Sequence, residues 1–322
     1  MSSAPQAPHQ RWSSIVTRLR QLNVEAFIST LLDDGPSTAA ELARAANVSV
    51  VTANRILQQL TADEVIVEVE ARIGGPGPRA RVFALRREAL AVAAVVHQPG
   101  TLTVVRAGAH ANEAPVTLAQ DGPPTPEHLA EALSEVGARP GELAYLVAGT
   151  VRDGDRTPAA RASCLQTELS SRLGCPVAVR SSVDLAAVAE ARLGLARGVE
   201  DFLLVADDGM ALVVGGEPRP GAHGAAGSLL THGERVLDGT HARDAVSAIV
   251  ATCLVTDPEL VVLSARRPPA GKLRAALAHA VPTPPKVVKS RWGRVAAALG
   301  AVEVARELAL TALLESASRA RD

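Results

Sequence analysis

The hydrophobic period of the chain changes near residue 62, and that change restricts the fold more than any other feature of the sequence. Up to Thr61 apolar residues recur at helical spacing. Trp12–Leu22 predicts a short amphipathic helix, and Val24 to about Leu32 predicts the first of three more in close succession, stopped by Asp34-Gly35-Pro36. The second begins after Ser37, with Glu41 placed to cap it and Leu42, Ala43 and Ala46 on one face. Asn47-Val48 turns the chain. The third starts at Ser49, a good N-cap, and runs to about Thr61 with Val51, Ile56, Leu57 and Leu60 inward. Beyond it the period is two. Val65, Val67 and Val69 alternate with Ile66, Glu68 and Glu70, and Arg81–Leu85 returns as a second strand after the stretch ARIGGPGPRA. Three helices followed by a β-hairpin with an arginine-bearing tip predict a winged helix-turn-helix over residues 11–87. Residues 1–10, rich in Ser, Pro and Gln, predict a disordered lead-in.

From residue 88 to 322 strand-length apolar runs alternate with helical segments. Strands are expected at Leu90–Val96, Thr101–Arg106, Leu143–Val147, Val177–Val179, Phe202–Val205, Ala211–Val214, Leu260–Leu263 and Lys286–Val288. Helices are expected at Leu129–Gly137, Ala159–Leu173, Val183–Leu195 and Ala296–Ala317, with DGPPTPEH (Asp121–His128) read as a linker. Repeated alternation of this kind is the pattern of an α/β fold. Aromatic residues are only 2% of the chain while hydrophobic residues are 47%, so Ala, Val and Leu must fill the core, as they do when helices pack on a Val-rich sheet. Cys164, Cys175 and Cys253 match no metal-ligand spacing and fit a reducing compartment. The opening residues lack the apolar core of a signal peptide, and no apolar run approaches the ~20 residues of a membrane span. The chain is therefore read as cytoplasmic, with no metal and no cofactor.

A helix-turn-helix reads DNA with side chains near the N-terminus of its second helix, where the major groove displays a distinct donor and acceptor pattern for each base pair. Here those positions are Ser49, Val50, Thr52, Ala53, Asn54 and Arg55, with Gln58 one turn on. Asn54 suits adenine, Arg55 suits guanine, and Ser49 and Thr52 suit phosphate. Arg72, Arg79 and Arg81, set among glycines and prolines, suit a narrow minor groove or the phosphate backbone. A solvated arginine means nothing alone; agreement among helices, caps, turn and wing is what points to double-stranded DNA. The net charge of −1, and Asp63, Glu64, Glu68 and Glu70 within the head, mean that binding depends on how the arginines cluster and on pairing of two heads in a homodimer.

The chain resembles the ROK family of repressors and sugar kinases. LNVEAFISTLLDDGPSTAAELARAANVSVVTANRILQQL resembles the family's repressor head, and PVAVRSSVDLAAVAEARLG resembles the segment that carries the kinases' Asn-Asp pair. GEPRPGAHGAAGSLLTH resembles the sugar-binding loop, and DPELVVLSA and VVKSRWGRVAAALGAVEVA resemble closing segments of the second lobe. The resemblance implies an actin-like (ribonuclease H-like) pair of α/β lobes around a cleft. It also implies that kinase chemistry is lost, because that chemistry needs an Asp base and glycines that admit phosphate. In place of an acidic residue and two glycines after the first strand stands Ala93-Ala94-Val95-Val96. Ser181-Ser182 replaces Asn-Asp, Val205-Ala206-Asp207 replaces Gly-Thr-Gly, and Ser264-Ala265 replaces Gly-Gly. The family's zinc motif is absent, and Ser228 stands where a sugar-gripping Glu is expected. Asp184, about 200° round the helix from Ser182, is not expected to replace the lost base.

Three readings of the body stay open: a cleft that binds a sugar-like effector through Ser181, Ser182, His223, Ser228 and His232, a dimerisation scaffold with a vestigial cleft, and an enzyme of altered specificity. A regulator without kinase activity is the expectation that accounts for the losses.

Overall fold

The computed structural model describes residues 8–70, 80–86, 88–108, 112–151, 158–228, 230–231, 234–235, 242–264 and 268–319. The chain divides into two units, one of Met1–Ala91, Gly108–His110 and Glu307–Asp322, the other of Val92–Ala107 and Ala111–Arg306. The end of the chain thus belongs with the head and not with the body, which its sequence does not announce.

In the first unit a single helix α1 (Pro8–Asp33) replaces the expected pair, because nothing between Leu22 and Val24 interrupts the helical backbone. Pro8–Gln10 are helical, which corrects the disordered reading for those three residues; residues 1–7 lie outside the described part of the chain. Strand β1 (Ser37–Thr38), α2 (Ala39–Ala45), α3 (Val50–Ala62), β2 (Ile66–Val69) and β3 (Val82–Leu85) follow. The three strands form an antiparallel sheet in the order β1-β3-β2. The cap of α2 is Thr38, one residue later than the pattern suggests. Thr38 Oγ1 accepts from the Glu41 N–H at 3.3 Å, and Glu41 Oε2 accepts from the Thr38 N–H at 2.7 Å, closing a capping box. Asn47 takes φ of 53°, a left-handed conformation that Asn tolerates, and so turns the chain between α2 and α3. Phe27, Ile28 and Leu31 of α1, Leu42 of α2, Ile56, Leu57 and Leu60 of α3, and Ile66 and Phe83 of the hairpin make one buried core. Leu310, Leu313 and Leu314, from the end of the chain, pack against it.

The second unit begins with β4 (Val92–Gln98), β5 (Gly100–Ala107) and β6 (Val116–Gln120), then α4 (Pro126–Glu135), β7 (Tyr145–Thr150), α5 (Pro158–Leu173), β8 (Val177–Ser181) and α6 (Ser182–Arg192). It continues with β9 (Phe202–Ala206), β10 (Gly209–Val214), β11 (Glu217–Pro218), a ribbon of β12 (Leu230–Thr231) and β13 (Glu234–Arg235), α7 (Ala242–Thr256), β14 (Leu260–Leu263), α8 (Ala270–Ala280), β15 (Lys286–Lys289) and α9 (Ala296–Arg319), whose residues from Glu307 onward belong to the first unit. Two five-stranded sheets result, ordered β6-β5-β4-β7-β8 and β11-β10-β9-β14-β15. Each is an antiparallel three-strand meander extended by two parallel strands. The two halves therefore repeat one topology. Central strands such as β9 and β14 are buried along their whole length, which is why they read as unbroken apolar runs. Strand β6 escaped the sequence pattern because it is a sheet edge whose residues are exposed or only partly buried.

Helix α6 is buried from Ser182 to Glu190 and touches strands of both sheets. Two glycines make this possible. A Cβ at Gly300 of α9 would lie 1.8 Å from the Leu185 carbonyl oxygen, so only glycine lets these helices cross so closely. A Cβ at Gly149, on β7, would lie 2.8 Å from Val96 and 3.0 Å from Leu185. Among the described residues no helix is long and apolar enough to cross a membrane.

Candidate nucleic-acid interface and ligand cavity

Helix α3 is held by one face and presents the other. Ala53, Ile56, Leu57 and Leu60 fall at helical spacing and are buried, whereas Ser49, Thr52, Asn54, Arg55 and Gln58 are exposed. Two expectations need correction. Ala53 is 0% exposed and belongs to the core, so it cannot touch DNA. Val51 is 81% exposed rather than inward, because Ala53 takes the inward position of that first turn and Val51 lies about 200° away from it. Val50, 48% exposed, also faces out. Ser49 Oγ accepts from the Thr52 N–H at 3.1 Å and lies 2.9 Å from Thr52 Oγ1, so both hydroxyls fix the start of the helix. Arg81 is held on the hairpin. Its guanidinium contacts Glu68 Oε2 at 2.6 Å and stacks 5.2 Å from the Phe83 ring centre. The hydrogen bond from Arg81 lowers the Glu68 pKa, and Glu68 in turn raises that of Arg81. Arg72 and Arg79 lie outside the described residues.

The second unit contains a cavity of about 870 Å³. Its wall is built from the β4–β5 turn, the segment before α4, the end of β7, the inner face of α5, the β8–α6 junction and the loop at Pro220–Gly224. Ser181 and His223 line it, as does Asp184. Ser182 does not: it is fully buried, and its hydroxyl donates to an Asp208 carboxylate oxygen. Ser228 also stands away from the wall, in a turn closed by its N–H to the Ala225 carbonyl at 3.1 Å. His232 lies outside the described residues. The angular separation of Ser182 and Asp184 is as expected, but the face was assigned the wrong way round. Ser181 and Asp184, three residues apart, share the cavity side, while Ser182 turns to the β9–β10 turn. That i,i+3 spacing is the signal by which Asp184 was legible. Arg180, Thr150 and the prolines of Asp121–His128, read above as a linker, also line the cavity. Nothing local in the sequence marks them, since β6, α4 and β8 are brought together only by sheet order.

A second recess lies among Gln98, Pro99, Asp207, Asp208, Ser264 and Arg294, and it measures only about 20 Å³. Ala93–Val96 lie buried inside β4, within the strand expected at Leu90–Val96, and the β4–β5 turn is at Pro99, ahead of Gly100 at φ of 76°. Arg294 Nη1 donates to the Pro99 carbonyl at 3.0 Å, and Ser264 Oγ to the Gly293 carbonyl at 3.2 Å. Gly209 (φ 147°) opens β10 against the Gly227 carbonyl, which a Cβ would approach to 2.9 Å.

Neither a family profile nor a curated protein matches the sequence. Solved structures do match. A ROK family transcriptional regulator, a homologue of the E. coli MLC protein, superposes with a TM-score of 0.62 over 93% of this chain and 99% of its own, at 14% identity. The fold is that of the ROK family. The ROK hexokinase from Thermus thermophilus matches 68% of this chain and 99% of its own, with a TM-score of 0.52 and 21% identity. The ROK family glucokinase from Streptomyces griseus, solved with glucose and AMPPNP, matches 67% and 99%, with a TM-score of 0.52 and 14% identity. The kinases thus account for about two thirds of this ROK-fold chain, and the regulator for nearly all of it.

Proposed function

We propose that this chain is a cytoplasmic DNA-binding transcription regulator, acting as a homodimeric repressor, with a ROK-fold body that is not a sugar kinase and that holds a small effector. The observation that carries the reading is the two-faced α3: a capped helix locked by Ala53, Ile56, Leu57 and Leu60 that offers Ser49, Val50, Thr52, Asn54, Arg55 and Gln58 to solvent. In a winged helix-turn-helix this face enters the major groove, with Asn54 and Arg55 at base edges and Ser49 and Thr52 at phosphates. Arg72, Arg79 and Arg81 of the wing add basic side chains for the minor groove or the phosphate backbone, and Glu68 holds the Arg81 guanidinium. The likeness to a ROK regulator across head and body supports the assignment.

Loss of kinase activity is supported by the recess at the β4–β5 and β9–β10 turns. Asp207 and Asp208 line it where a phosphate would have to approach, with Arg294 the one cationic side chain among its lining residues. One observation favours a residual phosphotransferase instead. Asp184 does face the cavity, where a base would stand. That reading predicts ATP turnover abolished by Asp184→Asn; the regulator reading predicts none in either protein.

The regulator is tested by fluorescence anisotropy on the chain's own upstream DNA across a salt series, with an Arg55→Ala, Arg79→Ala variant alongside. Expected is tight binding whose logarithm falls linearly with log salt, by roughly 0.9 per phosphate contact, and collapses in the variant. No binding to that fragment or to pooled genomic fragments would withdraw the assignment.

A further inference from the structure

The cavity has two chemistries, and they come from opposite edges of one sheet. At the β8 edge stands Ser181, whose Oγ is buried without a hydrogen-bond partner, beside Asp184, Arg180 and, at the end of β7, Thr150. A buried hydroxyl with no partner is rare and is satisfied when a ligand supplies one. Arg180 and Asp184 carry opposite charges at that end. With Ser181 and Thr150 they bring both donor and acceptor groups to that end, the pattern a hydroxylated group can meet. From the β6 edge come Pro123, Pro124 and Pro126 with Leu129 of α4, joined by Leu165 of α5. Glu168 of α5 also lines the cavity, with Arg172 3.6 Å from its carboxylate. The volume, about 870 Å³, lies in the upper part of the ~300–1,000 Å³ range of drug-sized ligand sites.

We infer that the cavity binds a neutral amphipathic small molecule, with an aromatic or alicyclic body against the prolines, Leu129 and Leu165 and a hydroxylated head at Ser181, Asp184 and Arg180. Aryl glycosides belong to this class. A free hexose fills only the polar end and leaves the apolar wall wet. The inference rests on the reading of the body as an effector domain and states the chemistry of that effector.

Cys164 provides a built-in reporter. It is exposed and lines the cavity, whereas Cys175 and Cys253 are buried. The full-length protein is alkylated with a maleimide in the presence of phenyl or 2-naphthyl β-D-glucopyranoside, D-glucose or phenol at equal concentration, and Cys164 labelling is followed by mass spectrometry. Both glucosides should slow labelling, the naphthyl more than the phenyl, while glucose and phenol leave it unchanged. Ser181→Ala should weaken protection roughly five- to tenfold, the loss of one buried hydrogen bond, and Leu165→Gln should remove the advantage of naphthyl over phenyl. Because the comparison among probes is made first in the unaltered protein, misfolding of either variant does not decide the outcome. Protection by glucose equal to that by the glucosides, or protection by none of the four, overturns the inference. Anisotropy on upstream DNA in the same samples separates it from the regulator reading: protection without DNA binding removes only the regulator, and DNA binding without protection removes only the amphipathic ligand.

Discussion

Single residues on α3 divide into those that hold the helix and those free to act, and substitutions should separate the two. Ser49→Ala removes the side-chain cap on the Thr52 N–H and should cost about 1 kcal/mol of head stability in denaturant unfolding. Arg55→Ala, on the exposed face, should leave unfolding unchanged and lower affinity for a selected operator at least tenfold, as expected for a lost guanine contact. The cysteines make a second residue-level case. Burial pushes the Cys175 and Cys253 thiols up to about 11, so at neutral pH they hold almost no thiolate. Alkylation at pH 7.5 followed by mass spectrometry should modify Cys164 alone in the native protein and all three after denaturation.

At the scale of elements, α2 and the crossing of α6 with α9 carry the clearest consequences. The hydrogen bond from the Thr38 backbone lowers the Glu41 pKa, followed by that from the Thr38 hydroxyl. A carboxylate whose pKa is depressed by folding contributes stability above its ordinary value and loses it as pH falls through the folded value. The stability difference between the wild type and Glu41→Gln should therefore be largest near neutrality and vanish on acidification, which urea titrations at several pH values would show. Gly300→Ala sets a methyl against the Leu185 carbonyl and should cost about 3 kcal/mol or more, the upper range for overpacking a rigid contact. Gly271→Ala on α8 meets nothing within 4 Å and should stabilise by up to about 1 kcal/mol through helix propensity. The sequence shows two helical glycines; only tertiary contact gives them opposite signs.

For the whole molecule, the return of the chain end to the head unit is the feature with most consequence. Leu310, Leu313 and Leu314 pack on the core that holds α3, so ending the chain after Arg306 should uncover apolar surface in that core and weaken it by about 3 kcal/mol, counting the three side chains as half buried. Hydrogen exchange should quicken across Val24–Ala62 while β4 and β9, in the other unit, keep their protection. Much of the architecture was legible beforehand. Periods of 3.6 and two located α2, α3, the hairpin and most body strands, because those patterns follow from which face of each element is buried. Local chemistry named the Ser49 cap and the Asn47 turn for the same reason: the atoms involved are at most three residues apart. What the pattern could not resolve was anything settled by partners distant in the chain. Ala53 and Val51 exchanged roles because the core decides which side of α3 faces in. Ser182 turned to Asp208, twenty-six residues on, and left Ser181 and Asp184 to the cavity. Three prolines in an apparent linker became a cavity wall because sheet order set the end of β6 within reach of α5. The sequence by itself determined the elements, because each carries the burial pattern of its own faces; the tertiary structure alone decided which side chains meet, since a cavity is made by residues whose separation along the chain carries no signal.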